Sequence, residues 1–243
     1  MPKRGPGASS SVVCNHIGFM EIINLICSPL HPSFTPKAAV REIPLGSSIP
    51  NSLQCIYVNR AGSQEARDRL VQSFTDRQEA IEVRNEDFSP LSVFAEGTTT
   101  NGSLLLPFKR GAFAGMRTTT PCFYSISSGM ISPTYDIISL PELMVLLVCN
   151  LSFRISRINI MPEFTPNTFM LEKHADKGNE PWKIFAWCVR DAISKHSGII
   201  KLDEKLCLKD KNAFYALMSG HCDRAEINGQ YFEYQGDEPV QEV

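Results

Sequence analysis

The chain alternates between apolar runs of strand length and longer stretches whose apolar residues recur at helical spacing. Val12, Val13 and Cys14 form the first short run, which stops at Asn15 and His16. This pattern predicts a strand over residues 11–15, a turn at His16, and a helix to about residue 28 carrying Phe19, Ile22, Ile23, Leu25 and Ile26. Pro29, Pro32 and Pro36 then break the chain into a loop. Residues 34–39 and 53–59 are β-rich, the second run ending at Arg60, and 38–43 suits a short helix closed by Pro44. Gly62 and Ser63 open a helix over 64–84, with Ala66, Leu70, Val71, Phe74, Ala80 and Ile81 on one side and charges between them. After a loop at 85–90, Leu91, Val93 and Phe94 mark a strand over 91–95 that ends abruptly at Glu96-Gly97.

Beyond that strand comes a polar loop, Thr98-Thr99-Thr100-Asn101-Gly102, then an apolar run and the basic pair Lys109-Arg110. Residues 113–120 read as a connector, and 121–127 and 155–161 as strands. The longest apolar run, 137–153, is interrupted by Pro141, Glu142 and Asn150. It is too broken for a bilayer span of about 20 residues, so it reads as a buried or interfacial helix. Residues 182–195 form an amphipathic helix, with Trp182, Phe185, Ala186, Val189 and Ile193 on one side. The strand–helix–strand rhythm from Val12 to Ala95 argues an α/β sheet. Three units follow: a disordered Pro/Gly/Ser-rich segment at 1–11, one domain at 12–220, and a loose acidic tail at 221–243.

Composition narrows the function classes. At 243 residues the chain can bury one good core, and 43% apolar with 21% charged residues is ordinary for a globular domain. The net charge of −2 gives no global field for nucleic acid, so any anion binding is local. The 8 cysteines stand singly without a Cys-x-x-Cys pair, which suits core thiols in a reducing compartment and leaves no zinc spacing. No apolar leader or membrane-spanning segment precedes the first strand.

Two places carry candidate chemistry. At Glu96-Gly97-Thr98-Thr99 a carboxylate, a glycine and hydroxyls stand at the end of a strand, where a rigid sheet holds a loop open to ligand. Lys109 and Arg110 add positive charge nearby. At His16 and Glu21, two residues five apart lie on different faces of a regular helix. They meet if His16 sits in the turn before the helix and Glu21 reaches back, which orients the imidazole and makes it a candidate general base.

Together these stretches resemble the glycerolipid acyltransferase family, in its lysophosphatidylcholine acyltransferase-like branch. The family pattern is His-x4-Asp, Gly-x-x-Phe-x-x-Arg, a Glu-Gly-Thr block and a Pro-containing block. This chain has His16-x4-Glu21, then Gln54 to Arg60, then Glu96-Gly97-Thr98-Thr99, then Met161-Pro162-Glu163-Phe164-Thr165-Pro166, in that order. Glu21 stands in place of Asp, and Gln54 and Tyr57 in place of Gly and Phe. The resemblance implies one glycerol-3-phosphate acyltransferase-like α/β domain, with a mixed, mostly parallel central sheet flanked by helices. It implies an acyltransferase of phospholipid synthesis or remodelling, with acyl-CoA as co-substrate, a lysophospholipid acceptor and no separate cofactor or metal. It also implies work at a membrane surface, at the endoplasmic reticulum facing the cytosol.

His16 and Glu21 are then the catalytic pair. Arg60, Glu96, Gly97 and Thr98 or Thr99 bind the acceptor, and Lys109 lies toward the CoA phosphates. A negative Glu96 cannot bind phosphate itself; it holds Arg60 or a backbone amide in place. Two other readings remain: a non-catalytic acyltransferase-like lipid-binding or scaffold domain, and a thioesterase in which His16 activates water.

Overall fold

A computed structural model describes residues 9–18, 20–36, 38, 41, 48–58, 63–100, 102–126, 145, 155–201, 213, 216, 222, 224–227, 230–235 and 238–241. The elements run in the order β1 (Ser11–Cys14), α1 (Met20–Cys27), α2 (Ser48–Ser52), α3 (Gln64–Glu82), β2 (Leu91–Phe94), β3 (Leu104–Leu105), β4 (Thr119–Ile126) and β5 (Ser156–Ile160). Then come α4 (Thr168–Lys173), α5 (Pro181–Ser197), β6 (Ile200–Lys201), β7 (Arg224–Ile227), β8 (Gln230–Gln235) and β9 (Glu238–Gln241).

The central sheet has the order β2-β1-β4-β5. β1 pairs in parallel with β2, from Ser11↔Leu91 to Cys14↔Phe94, and with β4, from Ser11↔Thr119 to Cys14↔Cys122. β5 runs antiparallel to β4, so the sheet is mixed and mostly parallel, as expected. Every residue of β1 is buried, because helices cover both faces. Successive side chains on a strand point to opposite faces, and the short run Val12-Val13-Cys14 feeds two cores in this way. Val12 and Cys14 pack with Leu25 of α1, while Val13 packs with Phe74 of α3 and Phe185 of α5.

Local chemistry sets the helix ends. Ser63 Oγ accepts from the Ala66 amide at the start of α3. α5 begins at Pro181 and stops at Gly198, whose φ of +75° is the left-handed conformation that closes helices. Inside α3, the buried Gln78 donates from Nε2 to the Ala112 carbonyl at 2.8 Å. That bond ties α3 to the 3-10 turn Arg110–Ala112.

Four expectations change. Ordered chain begins before residue 11: Ser9 and Ser10 are buried, and the Ser10 carbonyl accepts from the Leu91 amide at 3.0 Å. The composition of 1–11 concealed this, because small serines fit under a sheet edge as readily as they fit a loose arm. The segment expected as a loose acidic tail carries the three-stranded antiparallel sheet β7-β8-β9. The aromatic run Tyr231-Phe232-Glu233-Tyr234 favours strand, a preference that the acidic composition of the segment conceals.

The β-rich runs at 34–39 and 53–59 form no regular strand among the described residues, yet they do lie side by side. The Ile56 amide donates to Phe34 O at 3.0 Å and the Val58 amide to Pro36 O at 2.9 Å. α4 was not expected; Asn167 caps it, its side chain accepting from the Met170 amide at 2.8 Å. The apolar run 137–153, apart from Val145, and most of 38–43 lie outside the described residues. Among the described residues no helix is long and apolar enough to cross a membrane.

The core predicts thiol chemistry. Burial pushes the Cys122 thiol up to about 12. It also raises Cys14 well above its ordinary value, with Cys122, Glu21 and Glu96 adding to the effect. Cys27 is exposed. At pH 8 the thiolate fraction of Cys122 is on the order of one in ten thousand. Alkylation followed by peptide mapping is therefore expected to label Cys27 within minutes and to spare Cys14 and Cys122 until denaturant is added. Early labelling of Cys122 would contradict this packing of β1 on β4.

Candidate active site

The parallel strands β1 and β2 end at the same edge of the sheet, the edge at which ligands sit in open α/β sheets. Asn15 extends β1 with its side chain: Oδ1 accepts from the Tyr124 amide at 2.7 Å and Nδ2 donates to the Tyr124 carbonyl at 3.2 Å. His16 follows directly and turns away from the sheet. Its carbonyl accepts from the Thr100 amide at 2.7 Å, and its own amide donates to Glu96 Oε1 at 3.0 Å. The imidazole is thus hung from a backbone fixed on both sides.

The ring is fixed as well. His16 Nδ1 is bonded to Glu21 Oε1, so the turn does let two residues five apart meet. Glu21 Oε2 accepts from the Ile17 amide at 2.9 Å and the Gly18 amide at 3.0 Å. Glu21 is fully buried in the first turn of α1. A carboxylate there satisfies amides ahead of the helix and is favoured by the helix dipole. Phe94 stacks on the other side of the imidazole, with centroids 4.2 Å apart and planes at 11°. With Nδ1 facing a carboxylate, the proton belongs on Nδ1 and the lone pair on Nε2. Nε2 has no hydrogen-bond partner among the described residues. The side chain is 12% exposed, so the ring reaches solvent at one edge only.

Glu96 is the tie between the two stretches. Oε1 takes the His16 amide, and Oε2 takes the Leu106 amide at 2.9 Å. The residue is 2% exposed, and its carboxylate holds these two backbone amides. Gly97 has φ +74°, and a Cβ there would lie 3.5 Å from Lys109 Cγ, so the lysine stem runs alongside the turn. The Lys109 amide donates to the Ala95 carbonyl at 2.7 Å, which brings Lys109 beside the turn through the backbone too. Thr98 is half-buried, while Thr99 and Thr100 are buried.

His16, Glu21, Glu96, Gly97 and Lys109 therefore gather at one sheet edge, with Thr98 and Thr99 in the same loop. Arg60 lies outside the described residues, as does Asn101. Among the described residues no three His, Cys, Asp or Glu side chains gather to hold a metal.

Three contributors were missed in the sequence. Phe94 was counted only as core. Thr100 was one hydroxyl in a polar loop. Gly102 has φ +80°, and a Cβ there would sit 2.6 Å from Ile17 Cδ1, so glycine lets the loop close over the His16 turn without strain or displacement of Ile17. Glycine in a loop is a signal for such an approach, but it names no partner. Gln54, which stands where the resembling motif has glycine, has φ +56°. That is the left-handed conformation glycine adopts most easily.

A protein-family model described as Acyltransferase matches residues 7–131. A lysophospholipid acyltransferase of Arabidopsis thaliana is 29% identical over 221 residues, covering 90% of this chain and 51% of the relative. A lysophosphatidylcholine acyltransferase of Drosophila melanogaster is 34% identical over 102 residues, covering 42% of this chain and 18% of the relative. The chain thus spans about half the length of the Arabidopsis protein. Among solved structures, the 1-acyl-sn-glycerophosphate acyltransferase of Thermotoga maritima is a distant likeness, at 18% identity and TM-score 0.46, covering 79% of this chain and 68% of that one.

The Glu96 tie is testable by stability. In a Glu96→Gln variant one acceptor oxygen remains, and an amide NH2 faces the second backbone N–H. Removing a partner from a buried donor costs about 1–3 kcal/mol. Urea unfolding is expected to show that loss as a lower midpoint at an unchanged slope. An unchanged midpoint would mean that Glu96 does not hold the two amides.

Proposed function

We propose, from the premise that this chain belongs to the acyltransferase family, that its site transfers a fatty acyl group from acyl-CoA to the free hydroxyl of a lysophospholipid, with His16 as general base. The observation that carries the reading is the fixed imidazole. Glu21 holds Nδ1, Phe94 holds the ring plane, and Nε2 is left as the basic atom at the open edge of the sheet.

In this reading the acceptor hydroxyl lies against His16 Nε2. Its oxygen attacks the thioester carbonyl as Nε2 takes its proton. The tetrahedral intermediate collapses, the C–S bond breaks, and the CoA thiolate takes the proton from the imidazolium. Ester and free CoA result, with no acyl group on the protein. Glu21 stabilises the imidazolium that forms in between, and the Phe94 face favours a cation lying over it. General-base help of this kind is worth on the order of 10²–10⁴ in rate.

Glu96 serves by holding the backbone of His16 and Leu106 rather than by touching substrate. Gly97 leaves room at the turn for the acceptor's phosphate, with Thr98 or Thr99 as hydroxyl donor and Arg60, by resemblance, as its cation. Lys109 runs along Gly97 and lies close enough to that turn to add charge. The acceptor is a membrane lipid, so the reaction belongs at a membrane surface. The free cysteines among the described residues suit the cytosolic side of the endoplasmic reticulum.

Release of free CoA, followed with and without lysophospholipid, tests the reading. Release that requires the acceptor supports it; release without acceptor would favour hydrolysis, and no release a non-catalytic lipid-binding domain. His16→Ala is expected to lower kcat on the order of 10²–10⁴ while the chain still folds cooperatively, and near-normal turnover would remove the base assignment. Glu21→Gln is expected to lower kcat with little change in either KM. Arg60→Ala should raise the acceptor KM far more than the donor KM; an equal rise in both would take Arg60 out of the phosphate role.

A further inference from the structure

One cleft is lined by none of the residues gathered at the His16 edge. It has a volume of about 350 Å³ and lies between the segment at Pro107-Phe108 and the start of α5. Its wall includes three aromatic side chains, Phe108, Trp182 and Trp187, and three cations, Lys177, Lys183 and Arg190. Among the described residues, no carboxylate lines it. The acids that pair with these cations stand outside the lining: Asp176 with Lys177 at 2.6 Å and Glu180 with Lys183 at 3.6 Å. Arg190 is only 5% exposed, and an arginine this deep holds a fixed position with little freedom left to lose on binding. Lys177 Nζ stands 5.4 Å and Lys201 Nζ 4.9 Å from the Trp187 ring centre, which also has the His174 ring 5.2 Å away, and Lys183 Nζ stands 5.6 Å from the centre of Trp182, so each indole lies beside positive charge.

Flat rings flanked by cations fit a ligand that is itself flat and aromatic at one part and multiply anionic at another. A headgroup with one phosphate and neither a ring nor a quaternary ammonium uses the cations but leaves the indoles idle. The cleft is also joined to the site already described. Its wall at Pro107-Phe108 is pinned on one side by the Leu106 amide on Glu96 and on the other by the Lys109 amide on Ala95.

We propose that this cleft seats the adenosine bisphosphate end of the acyl donor, an assignment that rests on the acyl-CoA reading above. The adenine packs among the aromatic side chains of the cleft, and its phosphates meet Lys177, Lys183 and Arg190. The thioester end is then directed past Phe108 and Lys109 toward the His16 edge.

The chain has 2 tryptophans, and both line the cleft, so intrinsic fluorescence reports on it directly. Titration of the full chain with adenosine 3′,5′-bisphosphate is expected to give a saturable change in tryptophan emission that CoA competes away. The Lys177 and Lys183 side chains are 38% and 40% exposed and their ion pairs with Asp176 and Glu180 lie at the surface, so a Lys177→Glu, Lys183→Glu double variant is expected to keep its thermal midpoint within a few degrees. The same variant should weaken the bisphosphate by roughly tenfold or more and raise the acyl-CoA KM while leaving the acceptor KM in place. No emission change, unaltered affinity in the variant, or equal competition by inorganic pyrophosphate would overturn the assignment. A response to monomeric lysophospholipid in place of the bisphosphate would give the cleft to the acceptor instead and overturn it as well. Transfer from acyl-CoA without any bisphosphate response would sink the cleft alone. A bisphosphate response without any acyl transfer would sink the catalytic reading and leave the cleft standing.

Discussion

The carboxylate of Glu96 is buried beneath the sheet edge and is satisfied by backbone amides from two distant parts of the chain, His16 and Leu106. A buried charge is expensive unless its oxygens are fully engaged, so the site exists only while both strand ends stay in place. That dependence explains why so much of the geometry is done by main chain. Thr100 holds the His16 carbonyl, Lys109 holds the Ala95 carbonyl, and Gly102 lets the loop close against Ile17. The catalytic candidate is then a side chain on a nearly immobile backbone, which is the condition for a preorganised base.

Glu21 is a second buried carboxylate, and it solves the same problem differently. One oxygen takes the imidazole and the other takes two amides ahead of α1. The extra methylene relative to the resembling motif's Asp is accommodated, because the residue reaches back from the first helical turn to a histidine placed before the helix. Orientation of the ring and satisfaction of the helix entrance are therefore one arrangement, and a change at Glu21 disturbs both.

The sheet supplies the frame. β1 lies between two parallel neighbours, and its alternating side chains are shared between cores on either face. Four residues are enough because each is fully buried. Every parallel strand that ends at the site edge is thereby locked in register, and a one-residue slip of β1 would turn Val13 out of one core and into the other. The cleft at α5 belongs to the same frame, since Phe185 on α5 packs into the core that also holds Val13.

The short strand before His16, the abrupt end at Glu96-Gly97, the long α3 and the amphipathic α5 were all legible in the letters. Apolar periodicity is local, and turn residues announce themselves. The pairing of His16 with Glu21 was legible as a possibility of reach, since five residues of chain limit where the two can go. What the letters did not carry was everything that depends on partners far apart in sequence. The Phe94 ring on the imidazole, the choice of the His16 and Leu106 amides for Glu96, and the Gly102–Ile17 contact all join segments more than ten residues distant in at least one partner. The sheet β7-β8-β9 was hidden for a related reason, because strand pairing is a property of neighbours and an acidic composition says nothing about them. The sequence alone determined which residues could do chemistry at the strand ends. Only tertiary packing decided which of them face one another, because a hydrogen bond across a sheet edge is chosen by register and burial rather than by residue type.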